Sequence, residues 1–534
     1  MSKSNMHIQG PQINQFNNIS PQKVPRSSFK RDYPYRTTFN ENYLIPIFLD
    51  EILPGDDVSI KMTSLTRVAT PIKPIMDNLY QETFWFFVPN RLVWDNWEKF
   101  QGQQTNPGDS VAFTIPVLDH TVAPLSTTGF QPESIYDYMT LPTLVTGVQG
   151  ISALFNRAID LIWNEWFRDE NLQNSITIQT GNGPDDPATY SLRKRNKRKD
   201  YRSSCLPWPQ KGTAVTINIG GLANVLYQST GAAAAQLRDA ITGAVRVSGG
   251  PLSTSGTGFT QDSSVNVGYD PNGTLKADLS TASPITINAL RQAALYQQIL
   301  ELDARGGTRY VESIFSRFGV ISPDFRLQRP ELIGQGSSRI NIYAIPQTAP
   351  TVSGQTPQGN LAAFGTSAIT GTHGCRYSAT EHGMIIGLMN VRADLTYQQA
   401  LPKMFTRSTR LDFYEPLLNG LGEQAVLNQE VYAQGTSADT GVFGYQERFA
   451  EYRYRDPVIT GKFRSTDPQT LDVWHLSQEF GSLPVLNSAF ITEDVPMDRV
   501  VAVPTEPSFL FDASFDYTHV RPMPIRSNPG ITRL

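Results

Sequence analysis

Cysteine is nearly missing from this chain of 534 residues: Cys205 and Cys375 are the only two, and neither belongs to a CxxC pair. That argues against a disulfide framework and a thiolate zinc site, and it suits assembly in a reducing cytoplasm. Long apolar runs are missing too. No stretch approaches the roughly 18 consecutive apolar residues of a membrane span, and Met1–Phe16 has no apolar h-region, so neither membrane insertion nor secretion by a standard signal is expected. Charged residues are thin at 18%. A freely soluble monomer normally needs a denser charged exterior, so this favours a subunit that hides surface against copies of itself, although Asn, Gln, Ser and Thr also supply polar surface.

What is present points to β-structure. Hydrophobic residues make up 39% of the chain, enough for ordinary globular folding. The length exceeds the roughly 250–300 residues at which one core stops growing, so several domains or one core with large insertions is expected. Gly (40) and Pro (37) are abundant and accompany many short β-prone runs, which favours an all-β body with long loops. Thr70–Phe100 holds three Trp and five other aromatics. Within it, Phe84-Trp85-Phe86-Phe87-Val88, bounded by Pro71, Pro74 and Pro89, predicts a strand buried on both faces, followed by a turn or short helix carrying Trp94, Trp97 and Phe100.

Residues 1–36 are rich in Asn, Gln, Ser and Pro, with Lys3, Lys23, Arg26, Lys30, Arg31 and Arg36, and read as an extended arm. The body is expected from about Thr37. Val58, Ile60, Met62 and Val68 share one parity, the period of a half-buried strand; further strands are predicted at 214–219, 339–345, 384–391, 449–454, 499–503 and 509–517. Their unequal spacing fits a β-sandwich with expanded loops. Helices are predicted at 151–169, inside an insertion at 140–170, at 289–305 with a left-handed glycine cap at Gly306-Gly307, and around Val311–Phe318. Residues 220–285 are dominated by Gly, Ser, Thr and Ala and cannot bury a large core, so they read as a surface insertion or, alternatively, a disordered linker. The core is thus expected at 37–219 and 286–534, with a second loop at 346–371.

Catalytic signatures fail one by one. Gly461-Lys462 lacks the earlier glycine of a phosphate loop, Gly334-Gln335-Gly336 lacks the third glycine of a dinucleotide fingerprint, and no GxSxG elbow occurs. His373, Cys375, Glu381 and His382 are close in sequence, but a strand start and a Gly-rich loop separate them, and structural roles are expected. Carboxylate pairs such as Asp50-Glu51, Asp56-Asp57, Asp185-Asp186 and Glu493-Asp494 point to opposite faces when extended, so adjacency alone makes no glycosidase. An aromatic-lined sugar cleft, in a glycan-binding protein or glycosidase, stays as the alternative. No catalytic residue, metal or cofactor is assigned.

The strongest electrostatic signal is Arg193-Lys194-Arg195-Asn196-Lys197-Arg198-Lys199-Asp200-Tyr201-Arg202, seven cations in ten residues of a chain with net charge −4. Such a run can bind a nucleic-acid backbone without reading sequence, with Tyr201 and Trp208 available to stack on bases; a solvated loop or a contact to an acidic partner are the competing uses. The candidate DNA-binding residues are Arg193, Lys194, Arg195, Lys197, Arg198, Lys199 and Arg202, with Lys23, Arg26, Lys30 and Arg31 of the arm. A monomeric DNA-binding protein would be basic overall, which the net charge opposes.

Several long segments carry a resemblance: TPIKPIMDNLYQETFWFFVPNRLVWDNW, ENYLIPIFLDEILPGD (41–56), DYRSSCLPWPQKG (200–212), LDARGGTRYVESIFSRFGVISPDFRLQRPELIG (302–334), EHGMIIGLMNVRADLTYQQALPKMFTR (381–407) and GYQERFAEYRYRDPVITGKFRST. They resemble the major capsid protein of the gokushoviruses, small single-stranded DNA phages of the Microviridae. The family often has a His before the Asp-Tyr of the PWPQKG segment and an aromatic after it, where this chain has Lys199 and Arg202. The resemblance implies an eight-stranded antiparallel jelly roll with large, helix-containing loop insertions. It also implies a T=1 icosahedral capsid around circular single-stranded DNA, built in the host bacterial cytoplasm. The 220–285 insertion would form a threefold protrusion toward a host cell-surface receptor, and scaffolding and DNA-pilot proteins would be partners.

Overall fold

The computed structural model describes residues 25–213, 215, 224–227, 237–239, 253–255, 258–260, 267–269, 275–278, 287–306, 312, 315, 316, 319, 328–354, 356–394 and 396–526. The chain forms two compact units, Met1–Pro209 with Val320–Leu534, and Gln210–Gly319. In chain order the first strands are Ser27–Lys30 (β1), Tyr33–Phe39 (β2), Ile45–Ile52 (β3), Asp57–Val68 (β4) and Leu79–Pro89 (β5). The second unit holds Asn224–Tyr227 (β6), Leu237–Asp239 (β7), Ser253–Ser255 (β8), Gly258–Thr260 (β9), Val267–Tyr269 (β10) and Leu275–Asp278 (β11). The first unit resumes with Glu331–Pro346 (β12), Leu361–Ser378 (β13), Gly383–Ala393 (β14), Glu423–Leu427 (β15), Val442–Glu447 (β16) and Phe509–Arg521 (β17).

One nine-stranded antiparallel sheet organises the first unit, in the order β1-β17-β4-β13-β12-β5-β14-β3, with β2 also on β17. β1 and β2 are successive parts of one lane: Ser27–Lys30 pair with Thr518–Arg521, and Tyr33–Phe39 with Phe509–Phe515. Strand β12 turns the path over. Its Glu331–Ile340 part pairs with β5, whereas Asn341–Pro346 pair with β13. The two halves of the sheet then face each other, and Phe48 of β3 and Trp85 of β5 meet Phe515 of β17 with ring centroids 5.5 and 6.1 Å apart. This is consistent with the all-β jelly roll expected, although the sheet has nine strands against the eight expected.

Burial follows the sequence periods. On β17, Phe509, Phe511, Ala513, Phe515 and Tyr517 alternate inward; on β4, Val58, Ile60, Met62 and Val68 do so. Strand β5 is covered on both faces. Trp85 and Phe87 belong to the core between the sheet halves, while Phe86 and Val88 enter a second core. The helix Leu154–Ile162 and the π turn Trp163–Phe167 form its roof, with Trp166 5.7 Å from Phe86. Each large apolar side chain so buried contributes about 1.5–3 kcal/mol relative to exposure. Trp97–Phe100 forms the expected short helical turn after the strand, and Trp94 Nε1 donates to Asn182 Oδ1 at 2.9 Å.

Several expectations need correction. The supposed arm is partly sheet, since β1 and β2 lie within 27–39; only residues before 25 fall outside those described. The 346–371 loop ends early, because β13 starts at Leu361. Strand 449–454 is absent: Phe449 takes φ +62° and the chain enters a 3-10 turn at Ala450–Tyr452. Strand 499–503 is also replaced, by a 3-10 turn at Met497–Arg499 and a single bridge from Val501 to Pro71. The helix Ile287–Arg305 forms; of the expected cap, Gly306 is not left-handed and a Cβ there would sit 2.4 Å from Ser316 Oγ, while Gly307 lies outside the described residues. The 214–219 strand, the Val311–Phe318 helix and the 220–285 segment fall largely outside the described residues.

Candidate nucleic-acid interface

The basic run is threaded between two backbone neighbours. Leu44 N–H donates to Arg193 O at 2.9 Å and Arg195 N–H to Asn42 O at 2.9 Å, while Glu493 N–H donates to Arg195 O at 2.9 Å and Lys197 N–H to Ile491 O at 2.8 Å. An extended chain held from both sides must send alternate side chains into the body. Arg193 reaches Asp160 in two bonds of 2.9 and 3.0 Å. Arg195 pairs with Glu82 and lies over Phe84. Lys197 is 6% exposed, with its ammonium 4.4 Å from the Phe490 ring and 2.7 Å from Gln478 Oε1. Burial pulls its pKa down to about 8. Lys194 points the other way, over Tyr43 and 4.0 Å from Asp494.

Beyond Lys197 the run turns, and its cations still find partners. Arg198 bonds Glu82 and Asp394, each at 2.9 Å, with its guanidinium over Tyr80. Lys199 pairs with Asp169. Arg202 is 4% exposed, with Nε on Glu430 O at 2.7 Å and Nη1 on Asp456 at 2.9 Å. Tyr201 is buried and donates to Glu430 Oε2 at 3.1 Å, so its ring offers no stacking face to a base. Trp208 is half-buried.

Glu82 is the hub, receiving Arg195, Arg198 and, at 3.3 Å, Arg392 of β14. Burial disfavours its charge, but Arg195 and Arg392 outweigh that and hold the carboxyl below its usual range. Glu493 nearby fares differently. Burial pushes it up to about 8, against the pull of Arg392 and Arg195. Arg392 itself is lowered to about 10, by burial first and then by Arg195.

The arm residues lie at the outer lane of the sheet. Arg26 pairs with Asp57 at 2.6 Å, Arg31 with Asp50, and Lys30 stands 3.9 Å from Asp32, 72% exposed. Lys23 is outside the described residues. Arg36, also on this lane, is 73% exposed and 3.2 Å from Asp512. The neighbouring network is internal: His519 Nε2 lies 2.8 Å from Asp56 Oδ2 and His519 Nδ1 2.6 Å from Tyr517 Oη, which in turn meets Asp50. It joins β17 to the β3–β4 turn. Among the residues sequence reasoning missed, Glu82, Asp160, Asp169 and Asp394 carry the countercharge, with no local signal to mark them.

The His/Cys group does not converge on a site. His373 sits between Thr83 Oγ1 (2.9 Å) and Ser338 Oγ (2.8 Å), Glu381 pairs with Arg91 at 2.8 Å, and His382 packs on Trp97. Among the described residues no three His, Cys, Asp or Glu side chains are placed to hold a metal ion. Nor is any described helix long and apolar enough to cross a membrane.

Comparison with known proteins matches residues 17–531 to the family model described as capsid protein (F protein). The capsid protein VP1 of Bdellovibrio phage phiMH2K is 46% identical over 526 residues, covering 95% of this chain and 96% of that protein. The VP1 of Chlamydia phage 1 is 40% identical over 590 residues, 98% of each chain, and that of Spiroplasma virus 4 is 36% identical over 571 residues, 100% of each. These are Microviridae proteins. With its sheet, its internally paired cations and its full-length relatives, this chain belongs to the phage F capsid protein family: a structural coat protein of the virion, not an enzyme.

Proposed function

We propose that the chain is the shell-forming subunit of a T=1 icosahedral capsid enclosing circular single-stranded DNA, assembled in the host bacterial cytoplasm. The observation that carries this is the family match over almost the entire chain, joined to a body whose apolar residues are organised by one sheet folded over so that its two halves face each other. Scaffolding and DNA-pilot proteins are the proposed assembly partners. Residues 220–285 are the proposed threefold protrusion that meets a host receptor; their Gly/Ser/Ala-rich composition supports a segment that needs copies of itself to form a core.

Contact with DNA falls to the members of the predicted set that reach solvent, Lys194, Arg198 and Lys199 in the run and Arg26, Lys30 and Arg31 in the arm, together with Lys23, which lies outside the described residues and is kept for its charge alone. Arg193, Arg195, Lys197 and Arg202 serve the fold of the subunit instead. Phosphate contacts need only positive charge within reach, so exposed lysines and arginines suffice for sequence-independent packaging. The test is to express the chain with its assembly partners and image the products. Uniform closed shells are expected, and Lys30→Ser with Lys194→Ser and Lys199→Ser should leave shells intact while lowering their DNA content. Small oligomers that never grow would refute the capsid geometry, and unchanged DNA would refute the contact set.

A further inference from the structure

Met404–Leu421 presents an uncommon combination of fixed backbone and solvent-facing apolar side chains. Phe405 is 70% exposed and Leu417 90%, and Leu411, Phe413, Tyr414 and Leu421 are each at least half exposed. A loop that merely lacked structure would explain this, but the segment is pinned. It runs through 3-10 turns at Lys403–Phe405, Arg410–Asp412 and Pro416–Leu418. Asp412 Oδ2 accepts from Ser408 N–H at 2.9 Å and Thr409 N–H at 2.7 Å. Tyr414 N–H donates to Tyr452 Oη at 3.2 Å, and Arg407 bonds Glu451 at 3.3 Å with its guanidinium 4.2 Å from the Tyr452 ring. Polar bonds thus hold apolar groups out in water, an arrangement that costs solvation until something covers them.

Three features identify what covers them. Together with Tyr452, Tyr454 and Val458, the exposed parts of these side chains amount to on the order of 1,000 Å², against the roughly 800 Å² each partner buries in a stable interface. The surface is not flat: Phe405, Tyr454 and Val458 border a recess of about 310 Å³ that also reaches Lys403 and Arg464. The two segments carry both signs, Arg410, Arg453 and Arg455 with Asp412, Glu415 and Asp456, so a second copy meets no face of single charge there. We propose that this face, Met404–Leu421 with Tyr452–Val458, docks a second copy of the chain and is a principal subunit–subunit contact of the shell. The inference rests on the shell-forming function and names the surface that performs it.

Two variants of the full chain test it. Leu417→Asp combined with Leu421→Asp changes side chains that already face solvent, so the thermal unfolding midpoint should stay at the wild-type value while shell yield falls on the order of tenfold or more. Independently, Leu417→Cys introduces an accessible thiol into a chain whose two native cysteines are buried. Maleimide should label it on the order of tenfold more slowly in shells than in dissociated subunits. A double variant that matches the wild-type shell yield, or an introduced thiol that reacts equally in shells and in dissociated subunits, overturns this face as the contact and leaves the capsid function standing. A wild-type chain that stays monomeric with its partners present overturns both.

Discussion

Residues 193–202 and residues 26–36 are both rich in cations, yet they use them in opposite ways. The first stretch has backbone neighbours on both sides, 42–44 and 491–493, so half of its side chains must enter the body, where Asp160, Glu82 and Gln478 await them. The second is the outermost lane of the sheet, and among the described strands it pairs only with β17. Its cations meet carboxylates too, in water at Arg26, Lys30 and Arg36, while Arg31 reaches the largely buried Asp50. Exposed pairs such as Arg36–Asp512 contribute about 0–1 kcal/mol and open readily to a competing phosphate, whereas buried ones hold the structure together. Density of charge along a chain therefore says little about where that charge acts; the number of paired backbone edges says more.

That contrast can be broken most forcefully at Arg195. Arg195→Ala removes one of three guanidinium groups from buried Glu82, and a loss of roughly 3 kcal/mol in unfolding free energy is expected by chemical denaturation. A loss near zero would mean that Arg198 and Arg392 suffice and that Arg195 is free for other work. Next comes Glu493, whose pKa rises from 4.5 to about 8 on folding. A carboxyl raised in this way stabilises the folded state while protonated; its contribution is complete below the unfolded value and is lost as pH climbs through the folded one. Stability should therefore fall between pH 4.5 and about 8. Glu493→Gln should flatten that slope and raise stability at the alkaline end by on the order of 2 kcal/mol, as a melting series across this range would reveal.

Smaller effects sharpen the comparison. Lys197 lies against Phe490 and Tyr397 with a depressed pKa, so Lys197→Met should be neutral or stabilising by about 1 kcal/mol. A loss of about 2 kcal/mol would instead show that its bond to Gln478 matters more than the burial of its charge. The smallest change in stability, within about 0.5 kcal/mol, is expected for Lys30→Ser and Arg36→Ser, measured by the same melts. The effect of Lys30→Ser should appear in DNA content. Outer-lane variants that melt early but package normally would reverse the roles given to the two stretches.

The large apolar signals were legible in the sequence. Phe84–Val88 reads as a strand buried on both faces because each of its parities is apolar, and Leu154–Ile162 shows one face that fits a helix and no strand. Strand β13 was not, for a physical reason. Its inward positions include Ala363, Gly365 and Ser367, and a Cβ on Gly365 would lie 2.5 Å from Ile342 Cδ1 and 2.6 Å from Val68 Cγ2. Close packing there demands small residues, which in sequence look like a loop. Phe449 and Val500–Val501 mislead in the other direction, since buried apolar residues sit there on turns. The fate of the basic run was hidden as well, because Glu82 and Asp394 lie more than a hundred residues from the arginines they hold.

The position of β17 has a consequence for how such a subunit is made. It pairs along one edge with β1 and β2 and along the other with β4, so among the described strands β1 and β2 have no partner, and β4 has only β13, until residues 509–521 emerge. Pairing across that sequence separation closes slowly and late. A nascent chain must wait for its own far end, and a prematurely stopped one leaves β4 with an open edge and β1–β2 with nothing to pair against. Synthesis errors would then be sorted before assembly begins, because the last-made strand completes the first-made layer.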